Sequence, residues 1–274
     1  MADSVTALDA SARGQAIVCG SHGGRFSAAL ALEFGVRGIV LNDAGVGRDR
    51  AGIAGLALLD LHGIPAATVG YLTSAIGDGG DTLNHGVLSH VNAAASAIGC
   101  VRGMRADEAA QLMAVAAPPV GTPFSAPPEA RHLLRDHRPR VWALDSASLV
   151  VADDAGDILL TGSHGELVGG RPEAALATDA LAAVFNDAGR PGGDVPRGRL
   201  AVLDERGIAA ATVDAYSARI GDGRSTYFDG VFSAVNRTAA ELGASKGMTA
   251  RAFTDLVIAL ADDRAAVNGK TVKK

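Results

Sequence analysis

The same blocks of sequence occur twice in this 274-residue chain, and that repetition limits its possible folds more than any other feature. Cys19–Gly24 reads CGSHGG and Thr161–Glu166 reads TGSHGE. LNDAG at Leu41–Gly45 returns as FNDAG at Phe185–Gly189. GIPAATV at Gly63–Val69 returns as GIAAATV at Gly207–Val213, and TSAIGDG at Thr73–Gly79 as SARIGDG at Ser217–Gly223. Asn92 answers Asn236, and Gly103-Met104 answers Gly247-Met248. Between Ile53–Met104 and Arg197–Met248, without gaps, about 24 of 52 positions are identical. Unrelated sequences would share roughly a tenth, so the pattern implies a tandem duplication.

Each copy is domain-sized, far longer than a solenoid repeat. The expected organisation is a first lobe over 1–116, a Pro-rich connection over 117–139 and a second lobe over 140–274. The connection opens with AAPPVGTPFSAPPEA (Ala116–Ala130), which lacks periodicity and reads as a linker or surface crossing. VTALD at Val5–Asp9 aligns with VWALD at Val141–Asp145, which would give the second copy about six extra residues before its GSHG block.

Within a copy, short apolar runs alternate with helical spacing. Strands are expected at Gln15–Cys19, Gly38–Leu41 and Ala66–Val69, with a further one at Val5–Leu8. Helices are expected at Phe26–Phe34, Ala51–Leu61, Leu83–Ile98 and Ala106–Val115. Val150–Leu160 reads as a hairpin turning at Asp154–Gly156. The order predicts an α/β fold: a duplicated βαβαβ-type unit, mostly parallel sheets with helices on both faces, and two lobes related by a pseudo-twofold axis. Aromatic residues are only 4% of the chain, so small aliphatic side chains must fill the core and bring the layers close together.

In such sheets ligands bind beyond the carboxyl ends of the strands. The polar residues that both copies keep fall there. Ser21-His22 and Ser163-His164 present an imidazole and a hydroxyl suited to acid–base or nucleophilic work. A turn alone has no need of His, although Ser is equally at home capping a helix. Asp43 and Asp187 follow the second strand of each copy and would orient the His or hold a cation; an Asx-turn closed by Gly is the structural alternative. Asp78 and Asp222 sit in Gly-rich loops whose N–H groups can converge on an anion. The second loop adds Arg219, Arg224, Ser225 and Thr226, of which the first keeps only Thr82. These are the expected substrate holders.

Several classes are excluded or disfavoured. Lys and Arg total 25 against 30 Asp and Glu, a net charge of −5, which argues against binding a nucleic-acid backbone. The N-terminal MADSVTALDA lacks the basic and apolar regions of a signal peptide, and no apolar run suits a membrane span. Two cysteines, Cys19 and Cys100, make no disulfide framework, so a cytoplasmic protein with reduced thiols is expected. Gly-x-Ser-x-Gly, the P-loop and Gly-x-Gly-x-x-Gly are all missing, and no nucleotide cofactor is expected. Lys246 is the only lysine before the C-terminal tail, which disfavours Schiff-base and Ser-Lys chemistry. The leading expectation is an enzyme, a hydrolase, acting on a small anionic carboxylate- or phosphate-bearing molecule at the interface of two lobes. His22, Ser21, Asp43, His164, Ser163 and Asp187 would carry the chemistry, by acid–base means or with a divalent metal. Isomerase or lyase chemistry on a carboxylate and non-catalytic binding are the alternatives; a small-molecule substrate and a homo-oligomer are the expected partners.

Overall fold

A computed structural model describes residues 1–117, 124–190 and 198–271. Among them are two sheets, one in each half of the chain. The first contains β1 (Ala16–His22), β2 (Gly38–Asn42), β3 (Ala66–Val69) and β4 (Leu88–Val91), side by side in that order. β1 to β3 run parallel and β4 is antiparallel. The second contains β5 (Arg131–Arg135), β6 (Val141–Leu144), β7 (Ile158–His164), β8 (Ala182–Asn186), β9 (Ala209–Val213) and β10 (Phe232–Val235), also in chain order. β6 to β9 are parallel, with antiparallel strands at both edges. The architecture is α/β with mixed, mostly parallel sheets.

Strand alternation explains how both sheet faces become core. Ile17, Cys19, Ile39 and Leu41 pack with residues of α1 (Arg25–Phe34) and α2 (Gly55–Leu61). Val18, Val40, Ala67 and Val69, one position out of step, pack with Ala106, Ala109 and Met113 of α5 (Ala106–Val115). Small residues set the spacing: a Cβ on Gly38 would stand 2.8 Å from the Met113 Cβ. In the second half Ile158, Leu160 and Val184 meet Phe253 and Val257 of α9 (Ala250–Thr271). Leu159, Ala183 and Phe185 meet Leu200 and Leu203 of α6 (Arg199–Glu205) on the other face.

Four sequence-based expectations need correction. The helix expected over Leu83–Ile98 is three elements: α3 (Gly79–His85), β4 and α4 (Ala93–Ala97). Gly86 ends α3 in an extended conformation, and the Asn92 side chain starts α4 by accepting from the Ala95 N–H at 2.9 Å. Asn236 does the same for α8 (Arg237–Glu241). The strand expected at Val5–Leu8 is a 3₁₀ turn over Val5–Ala7 capped by Ser4. The hairpin expected over Val150–Leu160 is a 3₁₀ turn, Ala152–Asp154, leading into β7. The connection is not all linker, since it contains β5; residues 118–123 of it lie outside the described residues. Arg131 of β5 pairs with the buried Asp154 carboxylate at 2.8 Å, which draws this strand onto the sheet.

The turns also correct the alignment of the repeated sequence blocks. Ser146 caps Ala147–Leu149 as Ser4 caps Val5–Ala7, so Ser146 is the counterpart of Ser4. VWALD is strand β6 and VTALD is a turn, so their likeness has no structural basis and no insertion before the second GSHG block is needed.

The halves touch through the NDAG turns. Gly45 and Gly189 lie back to back, and a Cβ on either would stand 2.6 Å from the Cα of the other. Their φ values of 70° and 81° also call for glycine. Ala44, Ala188, Ile76 and Ile220 form an apolar cluster around them. Two arginines tie across: Arg48 Nη1 donates to the Ser217 carbonyl at 2.6 Å, and Arg190 Nε to the Tyr71 carbonyl at 2.7 Å. Cys19 and Cys100 are buried free thiols, and among the described residues no helix is long and apolar enough to cross a membrane.

Candidate functional site

The GSHG segments close β1 and β7, and their first glycines are there for packing. A side chain on Gly20 would collide with the Asp78 N–H, and one on Gly162 with that of Asp222. With no side chain, the strand end accepts a hydrogen bond from the Gly-rich loop: Gly77 N to Gly20 O at 2.7 Å, and Gly221 N to Gly162 O at 2.8 Å. Each loop therefore belongs to the strand end of its own half. The imidazoles cross over. His164 lies against Gly77 of the first half, and His22 against Gly221 of the second.

Both rings line one cleft of about 310 Å³ between the halves, with Ser21, Ser163, Phe26, Glu129, Arg171 and Arg199. The volume is at the small end for ligand sites. His164 is 8% exposed, and its Nδ1 is buried without a hydrogen-bond partner among the described residues. Burial, reinforced by the Arg199 charge and by His22, pushes its pKa down to about 3. Burial alone pushes His22 down to about 4. Both imidazoles are neutral at physiological pH.

The two rings are not equivalent. His22 Nδ1 accepts from the Gly24 N–H at 3.1 Å. A neutral ring that accepts there carries its proton on Nε2, so His22 is a hydrogen-bond donor at that atom. The His164 Nδ1 accepts no such backbone bond, and the Glu166 backbone favours the protonated form of its ring against the larger effect of burial. Arg199 lies beneath, 4% exposed, donating to the carbonyls of His164 at 3.1 Å, Glu166 at 3.2 Å, Ala174 at 2.7 Å and Ala175. Burial lowers its pKa to about 10, still well above neutrality. At the rim Arg171 is exposed, and its Nε donates to the Val168 carbonyl at 3.4 Å.

Other expected site residues serve the fold. Ser21 Oγ accepts from the Val5 N–H at 3.0 Å and Ser163 Oγ from the Ala147 N–H at 2.8 Å, which fasten the two 3₁₀ turns. Asp43 does not bond to His22. Its Oδ1 accepts from the Gly45 and Tyr71 N–H groups, both at 3.0 Å. Asp187 Oδ1 likewise accepts from Gly189 at 2.9 Å and Ala215 at 3.0 Å. Asp78 Oδ1 caps α3 through the Asp81 N–H at 2.7 Å, and Asp222 Oδ1 caps α7 (Gly223–Asp229) through the Ser225 N–H at 2.9 Å.

The expected anion holders fare differently from one another. Arg219 bridges Asp222 at 3.1 Å and Asp49 of the other half at 2.9 Å. Ser225 Oγ donates to Asp229 at 2.8 Å, and Thr226 Oγ1 to the Thr161 carbonyl at 3.0 Å. Arg224 is exposed on a separate hollow of about 570 Å³, walled also by Arg219, Asp222 and Phe228. That hollow is the larger of the two, and of its wall charges Arg219 is paired with Asp222 and Asp229 with Arg48. The His cleft holds the unpaired buried nitrogen and the shifted groups, and those mark a site better than size does. No three of His, Cys, Asp and Glu gather into a metal-binding group among the described residues.

Glu129, Arg171 and Arg199 were missed from sequence. Glu129 stands in the aperiodic connection. Arg199 falls where the first copy has Gly55, and that difference in charge between the copies was the available signal. No family model, no curated protein and no solved structure matches this chain.

Proposed function

We propose that the chain is a hydrolase of small anionic molecules, working in the cleft between two halves that arose by tandem duplication. One observation carries the reading: His22 and His164, one from each half, line the same small cleft as neutral imidazoles. The duplication is supported by the repeated blocks, the shared order of the parallel strands and the reciprocal contact of Gly45 with Gly189. That reciprocal contact also suits a pseudo-twofold axis through the NDAG turns.

The roles follow from the ring nitrogens. His164 takes a proton from water as the water oxygen adds to an acyl or phosphoryl centre. The Nε2–H of His22 donates to the oxygen on which charge develops. Arg171 at the rim meets the anionic group of the substrate with a charge-assisted bond. Neither serine hydroxyl has a hydrogen bond to an imidazole, which favours water over serine as nucleophile.

The test is turnover of a panel of small carboxylate- and phosphate-bearing esters, amides and lactones, with the wild-type protein beside His22→Gln and His164→Gln. A panel member hydrolysed by the wild type, with a rate loss of about 100-fold or more in His164→Gln, supports the reading. A wild type that hydrolyses none of them overturns it. Binding without turnover would make the chain a small-molecule binder instead.

A further inference from the structure

We propose that Glu129, brought to the cleft by the connection between the halves, is the proton donor to the leaving group. The inference rests on the hydrolytic reading above and adds a residue to it.

Glu129 shares the cleft with both imidazoles, although it belongs to neither repeated unit. The next residue fixes its position: the Ala130 N–H donates to Asp145 Oδ2 at 2.9 Å. Asp145 Oδ1 accepts from the Gly223 N–H at 3.3 Å, so both oxygens of Asp145 are held by backbone donors. Asp145 stands close enough to Glu129 for its charge to act there, and Ser148 Oγ donates to Glu129 Oε2 at 3.5 Å. The other charged or titratable groups of the cleft are His22, His164, Arg171, Glu173 and Arg199.

A partly buried carboxyl beside a second carboxyl group keeps its proton to higher pH. Burial is the larger cause here and Asp145 the second; together they raise Glu129 to about 7, with Ser148 opposing. The imidazoles move the opposite way. A cleft with its carboxyl pushed up and its imidazoles pushed down has an acid and a base ready together at neutral pH.

The step balances. The water oxygen forms a bond to the electrophilic centre, and its proton passes to His164 Nε2. The bond to the leaving oxygen or nitrogen breaks with its electron pair, and the Glu129 proton passes to that atom. The imidazolium proton then returns to the Glu129 carboxylate through solvent. Water is consumed and both groups are restored.

Two measurements on the full chain decide the matter. The first is a ¹³C titration of the glutamate carboxyls, with Glu129→Gln used for assignment. A midpoint near 7 that moves down in Asp145→Asn is expected. A midpoint at the ordinary value of 4.5 overturns the inference while leaving the hydrolytic reading intact. The second is the pH–rate profile of Glu129→Gln on whichever panel compound the wild type hydrolyses. A fall in kcat of about 100-fold with little change in KM is expected, together with loss of the alkaline limb near pH 7. A variant with wild-type kcat and profile overturns it, provided circular dichroism shows both proteins equally folded. Unequal folding transfers the decision to Glu129→Asp, which keeps the acid and is expected to keep the alkaline limb; a profile without that limb overturns the inference. A wild type that hydrolyses none of the panel removes the hydrolytic reading and this inference with it.

Discussion

His164 closes on Gly77 so tightly that a Cβ there would stand 2.9 Å from its Cε1. The imidazole of one half therefore takes its position from the backbone of the other. Gly77 also has a φ of 84°. Gly77→Ala should cost about 1–2 kcal/mol in backbone strain and also displace the ring. Gly63→Ala is the matched control, because Gly63 has a φ of 66° with nothing within 4 Å of a Cβ. Imidazole NMR shifts of His164 should move in Gly77→Ala and stay in place in Gly63→Ala. Unchanged shifts in both would mean that the ring is positioned by something else.

Stability should depend on acid through the same histidines. Their folded pKa values, about 4 for His22 and about 3 for His164, lie below the ordinary 6.5. Between those values the unfolded chain binds more protons than the native protein, so stability is fully present above 6.5 and is lost as pH falls toward 4 and 3. Glu129 acts with the opposite sign: its contribution is present below 4.5 and is lost as pH rises through about 7. Urea unfolding across this range should show a steeper acid-side loss in Glu129→Gln and a shallower one in the double variant His22→Gln, His164→Gln. Parallel curves for the three proteins would contradict the burial of the imidazoles.

The arginines of the two hollows should separate in their effects. Arg219 is 38% exposed and paired with Asp49, which is 63% exposed, so Arg219→Ala should cost only about 0–1 kcal/mol of stability. Combined with Asp49→Ala, it should lose less than the sum of the two single changes. Arg171→Ala should leave stability unchanged and weaken an anionic ligand such as malonate about tenfold, the loss of one charge-assisted bond. Calorimetric titration of both variants checks this. A larger loss for Arg219→Ala would return the anion site to the 570 Å³ hollow.

The sequence disclosed the frame more readily than the chemistry. Strands β1, β2, β3 and helix α5 were legible because apolar runs stop at Gly, Asn or Pro. β4 was hidden because Leu88–Val91 follows a short helix with only Gly86 and Val87 between them, and period alone does not separate four residues of strand from a helix turn. Ser21-His22 and Ser163-His164 were found because both copies keep them at strand ends. Asp43 and Asp187 were kept just as faithfully for another reason, since each holds two backbone N–H groups where the chain doubles back. Retention between the repeated blocks therefore marks backbone geometry at the aspartates, and at the histidines it marks residues that line the cleft. Glu129 lies in the connection outside the repeats and Arg171 has no counterpart in the first half, so no comparison of repeats could raise them.

The two retained aspartates differ in one respect, and that difference gives the last prediction. Asp187 is 5% exposed, and its Oδ2 is buried. Burial raises its pKa, against the pull of Ser233 and of the Gly189 and Ala215 N–H groups. In the first half His90 lies close enough to Asp43 to feel its charge, whereas the second copy has Ala234 at the matching place. A carboxyl raised in the folded state contributes stability below its ordinary pKa and loses it as pH rises through the folded value. Asparagine keeps the Oδ1 acceptor and has no charge to lose. Asp187→Asn should therefore be as stable as the wild type at neutral pH, or more so, and its advantage should grow with pH. Asp187→Ala leaves two buried N–H groups unpaired and should cost about 1–3 kcal/mol for each. Urea unfolding of the two variants separates the cases. Equal losses for Asn and Ala would show that the charge of Asp187 is itself needed where the halves meet.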